Sequence, residues 1–275
     1  MDPLISRLLL GTGLAILISL AAWRARSLSI SGALAATLLG AVIFGLGGLS
    51  WAILLLTFFI SSSALSRMFK QRKASLEEKF SKGAQRDGGQ VLANGGISGL
   101  FVLLHLALPA AHWPWLAFAG ALAAANADTW ATELGVLSHS APHLVTNWQV
   151  VERGTSGGIT VTGTLSALGG SLLIALLAIT FWPGARPSLP AALSVFASIG
   201  LAGLAGSLLD SYLGATVQAI YTCPCCQKES ERYPIHSCGC QTSLARGWRW
   251  MDNDWVNGFC TLAGAALAAL AAVLL

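Results

Sequence analysis

Residues 113–137, WPWLAFAGALAAANADTWATELGVL, decide how this chain folds. The first half is an unbroken apolar run. The second half adds Asn126, Asp128, Thr129, Thr132 and Glu133 without ending the helical pattern. On a helix, Asn126, Thr129 and Glu133 share a face, and Asp128 and Thr132 are neighbours at i, i+4. Ionised carboxylates are costly in lipid, so such acids are expected to face a polar cavity, a cation or a partner. A second stretch, 192–220, ALSVFASIGLAGLAGSLLDSYLGATVQAI, repeats the pattern around Asp210. There Ser207, Asp210 and Gly214 fall on one face, flanked by Ser211 and Gln218. Hard carboxylates with hydroxyl and amide oxygens suit Mg²⁺. The competing reading is a buried polar network that only joins helices, which does not need two acids. Catalysis or transport is therefore expected ahead of a passive structural role.

Composition sets the class. Of 275 residues, 55% are hydrophobic and 10% are charged, against about 25% charged in soluble domains. The mean hydropathy is +0.67. Bilayer-length apolar runs recur throughout. The expected fold is an all-α polytopic bundle of about eight spans: 4–22, 30–48, 50–66, 91–110, 114–137, 157–182, 190–220 and 256–275. Gly45-Leu46-Gly47-Gly48 reads as a tight turn between the second and third. The first span reads as an anchor rather than a cleaved leader, because Asp2 and Arg7 cancel ahead of it and Arg24 and Arg26 follow it. One transmembrane domain is expected over 1–275, with a Cys-rich loop at 221–255. With segment 23–29 in the cytoplasm, only Arg7 and Arg186 of the 16 Lys and Arg residues fall outside. That is the arrangement the positive-inside rule favours, and it turns the polar loops and any site among them toward the cytoplasm. The basic loop 67–90 reads as a topology determinant, or as a surface that holds anionic lipid or steers a nucleotide. No nucleic-acid recognition module is legible.

Further motifs surround the two acidic stretches. Arg86-Asp87-Gly88-Gly89-Gln90 leads into Asn94-Gly95-Gly96, where bare backbone at a helix start suits an anion or simply close helix packing. Glu152-Arg153-Gly154-Thr155-Ser156-Gly157-Gly158-Ile159-Thr160 offers N–H groups and hydroxyls to phosphate, although it lacks the Gly-Lys-Ser/Thr of a P-loop and a flexible turn remains open. Asp252-Asn253-Asp254 with Asn257 reads either as a capping cluster or as more of an ion and phosphate site. Cys223, Cys225 and Cys226 precede Cys238 and Cys240, and the spacing suggests a zinc knuckle with His236 as a spare ligand. Disulfides or free thiols stay open. Cys260 reads as a small hydrophobe. His105, His112, His139 and His143 form no ligand set. No serine triad or thiol–histidine pair is legible, and phosphoryl transfer needs metal, charge neutralisation and placement more than covalent chemistry. The acceptor would be a lipid with its tail between helices.

The segments ANGG, NADTWATELG, RGTSGGIT, GSLLDSYLGATVQ and DNDWVN, taken in order from about Gly32 to the C-terminus, resemble the integral-membrane DUF92 family, which includes phytyl-phosphate kinase and transmembrane protein 19. The family is distantly similar to the CTP-using phytol and dolichol kinases. The resemblance implies nucleotide-dependent conversion of a polyprenyl monophosphate to its diphosphate, with CTP or another NTP and Mg²⁺. In phototrophs that step serves tocopherol biosynthesis, and a bacterial inner or thylakoid-type membrane is implied. Roles then follow as expectations. Asp128, Glu133 and Asp210 hold Mg²⁺, and Asp252 and Asp254 close the site or add a second metal. Gly154, Thr155, Ser156, Gly157 and Gly158 cradle phosphates, helped by Asn94, Gln218, Asn253 and Asn257. Arg86, beside Asp87, neutralises the transferring group. Expected partners are prenyl phosphate, nucleotide, membrane lipids and a second copy in a homo-oligomer. A cation-coupled transporter, a lipid-alcohol kinase, a CDP-forming transferase and a lipid-binding scaffold are the rivals.

Overall fold

The computed structural model describes residues 3–69, 79 and 85–274. The basic residues Lys70, Arg72, Lys73 and Lys82 of the loop 67–90, with Glu77 and Glu78, lie outside the described residues.

Eight helices are described: α1 (Pro3–Arg24), α2 (Ile30–Val42), α3 (Leu49–Met68), α4 (Gly88–Ala107), α5 (Trp113–Gly135), α6 (Val161–Thr180), α7 (Leu189–Thr216) and α8 (Asn253–Leu274). They coincide with the eight expected spans, with shifted ends. α2 widens into a π-helical turn, Ile43–Gly47, and Gly48 at φ 84° then breaks the chain from α3. α4 begins before the expected 91 because Asp87 and Gln90 form a capping box, which satisfies orphan donors at the helix start. α7 stops at Thr216, and the chain turns into a strand at Ile220.

Seven of these helices, α2 counted together with its π-helical turn to Gly47, are long and apolar enough to cross a membrane. The exception is α5, which instead runs through the middle of the bundle. Its residues from Pro114 to Ala127 are all buried, and it packs against α3, α4, α6, α7 and α8. Small residues make that possible. A methyl group on Gly120 would collide with the Gly264 carbonyl of α8, and one on Gly203 of α7 would lie 2.8 Å from the Ala123 Cβ. A helix enclosed by protein need not be as apolar as one that faces lipid, which leaves room for Asn126, Asp128 and Glu133. Asn126 is itself a clamp. Its Nδ2 donates to the Gly170 carbonyl at 2.8 Å, and its Oδ1 accepts from Ser61 Oγ at 3.0 Å. At the other end of α5, Trp51 meets Trp115 and Phe118 edge-on, at centroid distances of 4.9 and 4.7 Å. The peripheral helices α1 and α2 point Leu9, Leu10, Leu34 and Leu38 outward, as a lipid-facing surface requires.

The connections carry short antiparallel pieces. β1 (His143–Leu144) pairs with β2 (Gly158–Ile159), and β3 (Ile220–Cys223) is flanked by β4 (Lys228–Ser230) and β5 (Ser243–Arg246). So the Cys-rich loop is a small sheet set on an all-α bundle. The polar connections meet at one end of the molecule. Ser29 N donates to Arg86 O at 2.9 Å and Glu231 N to Lys79 O at 2.9 Å, and Lys79 is paired with Glu152 at 2.8 Å.

Candidate functional site: a polar cavity beside a thiol cluster

At that loop-bearing end the helices part around a cavity of about 330 Å³. α5 contributes Asp128, Thr129 and Glu133, and α7 contributes Ser207, Asp210 and Ser211. Asp128 and Asp210 set their carboxyl groups against each other across the α5–α7 contact. Asp210 Oδ2 is buried with no hydrogen-bond partner among the described residues. Two carboxylates at such range need a shared proton or a cation between them. Oxygen donors facing a wet cavity fit a hard divalent ion such as Mg²⁺. Glu133, 6% exposed, lines the same cavity, but its Oε1 accepts from Ser66 Oγ at 2.7 Å and it faces Arg86.

Arg86 stands at the entrance to α4. Its backbone bridges to Leu28, and its guanidinium lies 5.2 Å from the centre of the Phe58 ring. Burial lowers its pKa to about 10, against the opposing pull of Glu133, so it stays cationic at neutral pH. Gln90 and Asn94 line the cavity one and two turns further along α4.

The glycine-rich segment closes another wall. Gly154 and Gly157 adopt φ of 79° and 87°, the left-handed region that favours glycine. Gly157 also presses on α7, where a methyl group would lie 2.6 Å from Ala215 N. Ser156 Oγ donates to Gln218 Oε1 at 2.6 Å, and Gln218 Nε2 donates to Glu231 Oε1 at 2.9 Å. Arg246 of β5 donates to the Gly214 and Ala215 carbonyls, each at 2.9 Å. A cation there satisfies the last carbonyls of α7. Within the segment, Thr155 N and Gly158 N are taken by Glu152 O and Thr155 O, at 3.1 and 3.0 Å. Thr160 caps α6 through Gly163 N at 3.0 Å. Arg153 reaches the Ser138 carbonyl at 2.6 Å.

The cavity thus brings together Arg86, Asn94, Asp128, Glu133, Gly154 to Gly158, Asp210, Gln218, Asn253 and Asn257. It leaves Asp87, Asp252 and Asp254 outside its lining. Asp87 is the α4 cap, accepting from Gln90 N at 2.9 Å. Asp252 caps α8, accepting from Asp254 N at 3.0 Å and Trp255 N at 3.1 Å. Asp254 lies against Gly89, where any side chain would strike its Oδ2. A carboxylate so close to the start of α4 is favoured by the helix dipole. Ser66 and Glu231 also line the cavity, as does Gln90, which the motif Arg86-Asp87-Gly88-Gly89-Gln90 contains but to which no role was given. Gln90 carried a signal, since Arg86, Gln90 and Asn94 recur at four-residue spacing. Ser66 and Glu231 carried none.

The sheet of the Cys-rich loop holds a second cluster. Donor atoms of Cys223, Cys226, His236 and Cys238 all lie within 4.8 Å of one another, a group able to hold a metal ion. Cys223 Sγ is 3.4 Å from Cys238 Sγ, and His236 Nδ1 is 3.2 Å from Cys238 Sγ. Cys238, then burial, then Cys223 push the Cys226 thiol up to about 11. Cys225 and Cys240, expected as alternative ligands, are joined as a disulfide with Cα atoms 6.4 Å apart. His236 completes the group in their place. Cys260 is buried in α8 beside the two aspartates.

Residues 13–265 match the model of the family described as integral membrane protein DUF92. The chain is 32% identical to Protein PGR of Arabidopsis thaliana, over 97% of this chain and 96% of that one. It is 34% identical to an uncharacterized membrane protein of Methanocaldococcus jannaschii, over 70% of this chain and 75% of the relative. A third relative, an uncharacterized membrane protein of Synechocystis sp., is 26% identical over 85% of this chain and 78% of its own length. No solved structure matches the chain. With the family model covering nearly all of its spans, this protein belongs to the DUF92 family of integral membrane proteins.

Proposed function

We propose that the protein transfers a phosphoryl group from a nucleotide to a polyprenyl monophosphate of the phytyl type, giving the diphosphate. The observation that carries this reading is the facing of Asp128 and Asp210, with an orphaned buried Oδ2, into one cavity with the glycine-rich segment and Arg86. Asp128 and Asp210 would hold Mg²⁺, which neutralises phosphate charge when bound. The remaining N–H groups of Gly154 to Gly158, with the Thr155 hydroxyl, receive the nucleotide phosphates. Asn253 and Asn257 hold the nucleotide side of the cavity, and Ser156, Gln218 and Glu231 keep the glycine segment fixed against α7. Arg86 neutralises the acceptor phosphate. An acceptor that is already an oxyanion at pH 7 needs no general base; an alcohol would, with Asp128 as the nearest candidate. Asp87, Asp252 and Asp254 act by fixing the starts of α4 and α8 at the rim. We assign zinc to Cys223, Cys226, His236 and Cys238. Zinc bonds of about 2.3 Å to sulfur place tetrahedral donors a little under 4 Å apart, near the separations already present.

The test is purified protein with phytyl and longer prenyl monophosphates, offered CTP, ATP, GTP or UTP with Mg²⁺, following lipid diphosphate. Formation of diphosphate and nucleoside diphosphate is expected. A CDP-lipid product would replace this reading with the CDP-forming one. Absence of turnover together with ion-driven uptake into proteoliposomes would replace it with transport.

A further inference from the structure

A second, wholly different cavity adjoins the first. α3 makes its principal contacts with α5, α6 and the π-helical turn, and not with α1 or α2. α2 and α3 therefore diverge from that turn, and a wedge opens between them toward Arg86. The wedge holds about 70 Å³ and is walled by apolar side chains, among them Ala15, Leu39 and Phe58. Along α1 it runs from Ala15 to Ala22, which is about 10 Å at 1.5 Å per residue. At its wide end Arg86, Gln90 and Asn94 line this wedge and the polar cavity alike. The Arg86 guanidinium sits on Phe58, which belongs to the apolar wall. So a cation marks the seam between a hydrocarbon-like slot and a phosphate-sized polar space.

That junction matches an amphiphile with an anionic head and one hydrocarbon chain. Close-packed interiors do not keep apolar voids without losing contacts along the walls. We infer that the wedge between α1, α2, α3 and α4 binds the head-proximal hydrocarbon of a single-chain lipid phosphomonoester, with its phosphate beside Arg86 and facing Asp128 and Asp210. Resting on the reading proposed above, this makes the occupant the first isoprenoid units of the acceptor, while the rest of the tail continues into the bilayer. Arg86 becomes the group that registers tail against head: charge attracts the phosphate, and the slot excludes a head without a chain.

The experiment uses the full-length protein in nanodiscs without nucleotide. A prenyl monophosphate carrying a diazirine on its first isoprenoid unit is added and irradiated, and the adducts are mapped by mass spectrometry. Adducts on the wedge faces of α1–α4, such as Leu39 and Phe58, are expected. Excess phytyl monophosphate should remove them, and inorganic phosphate should not. Ala36→Trp, which fills the wedge, should cut labelling at least tenfold, and Ala36→Leu should cut it less, with both proteins keeping their unfolding midpoint. Adducts confined to other faces, or labelling insensitive to both substitutions, would overturn the inference. So would equal competition by phosphatidic acid, which would make the slot a general lipid contact. The outcome is separable from turnover. Wedge labelling without diphosphate formation would leave the site and remove the kinase; diphosphate formation with labelling elsewhere would do the reverse.

Discussion

The polar cavity and the thiol cluster sit at the same end of the molecule and are built on opposite principles. The cavity collects hard oxygen donors from the ends of membrane helices that are held together by their own packing. The thiol cluster collects sulfur and one imidazole on a small three-stranded sheet. In the first, an ion would serve chemistry; in the second, it would hold the fold. The two are joined by Glu231 and Arg246, which reach from the sheet to Gln218 and to the end of α7. Loss of the cavity acids should therefore stop turnover with the fold intact. Loss of the thiols should loosen the sheet first and affect turnover only through these two links.

The largest expected effect comes from the cavity. Asp128→Asn and Asp210→Asn should each lower diphosphate formation on the order of 10²-fold or more, as removal of one charge-stabilising group does elsewhere, with unchanged elution in detergent. Wild-type rates in both proteins would refute the metal assignment. Next comes the cluster. Cys223→Ser with Cys226→Ser should abolish bound zinc by elemental analysis and lower activity about tenfold, the scale of outer-shell effects. Activity equal to wild type with zinc gone would dissolve the link through Glu231 and Arg246. A smaller change is expected from Gly157→Ala, which strains a left-handed backbone and crowds Ala215. We expect about 1–3 kcal/mol lost, read as a lower thermal midpoint in detergent.

Sidedness sharpens the contrast. We propose a cytoplasmic thiol cluster, the side that the placement of Lys and Arg favours, whereas the Cys225–Cys240 disulfide belongs to oxidising surroundings. Cys238 is exposed. In intact cells it should resist a membrane-impermeant maleimide and react after lysis with a chelator present. Labelling before lysis would invert the topology. The smallest effect concerns Lys79 and the exposed Glu152. Lys79, by hydrogen bond and charge, lowers the Glu152 pKa below its usual value of 4.5. A depressed carboxylate adds its stability above the unfolded value and loses it as pH falls through the folded one. Glu152→Gln should leave the midpoint almost unchanged at pH 7, and even that small effect should vanish once the pH has fallen below the depressed folded value. A large shift at pH 7 would mean that this surface pair anchors the segment.

Much of this architecture was legible in residues alone. Seven of the eight helices follow from apolar length and α5 from an unbroken helical pattern, and the break at Gly48 and the start at Asp87 carry their own turn and capping signals. The acids in 113–137 and 192–220 announced a polar site, because lipid does not tolerate them alone. Other features left no such mark. Asp254 looks like a ligand in sequence, and its close approach to Gly89 at the start of α4 is visible only in the fold. Glu231 belongs to the cavity only because the chain after β4 returns to Gln218, just beyond the end of α7. Which thiols gather with His236 and which two join depends on the turns of a sheet that the spacing does not encode.

Sequence by itself determined that the chain lives in a membrane and that its acids need polar company, because hydropathy and the cost of burying charge are local properties. Only the tertiary structure decided that α5 is the enclosed axis, that Asp128 meets Asp210, and that an apolar wedge opens beside Arg86. Each of these depends on how closely particular small side chains let one helix approach another, and that is a property of pairs of surfaces rather than of any one segment.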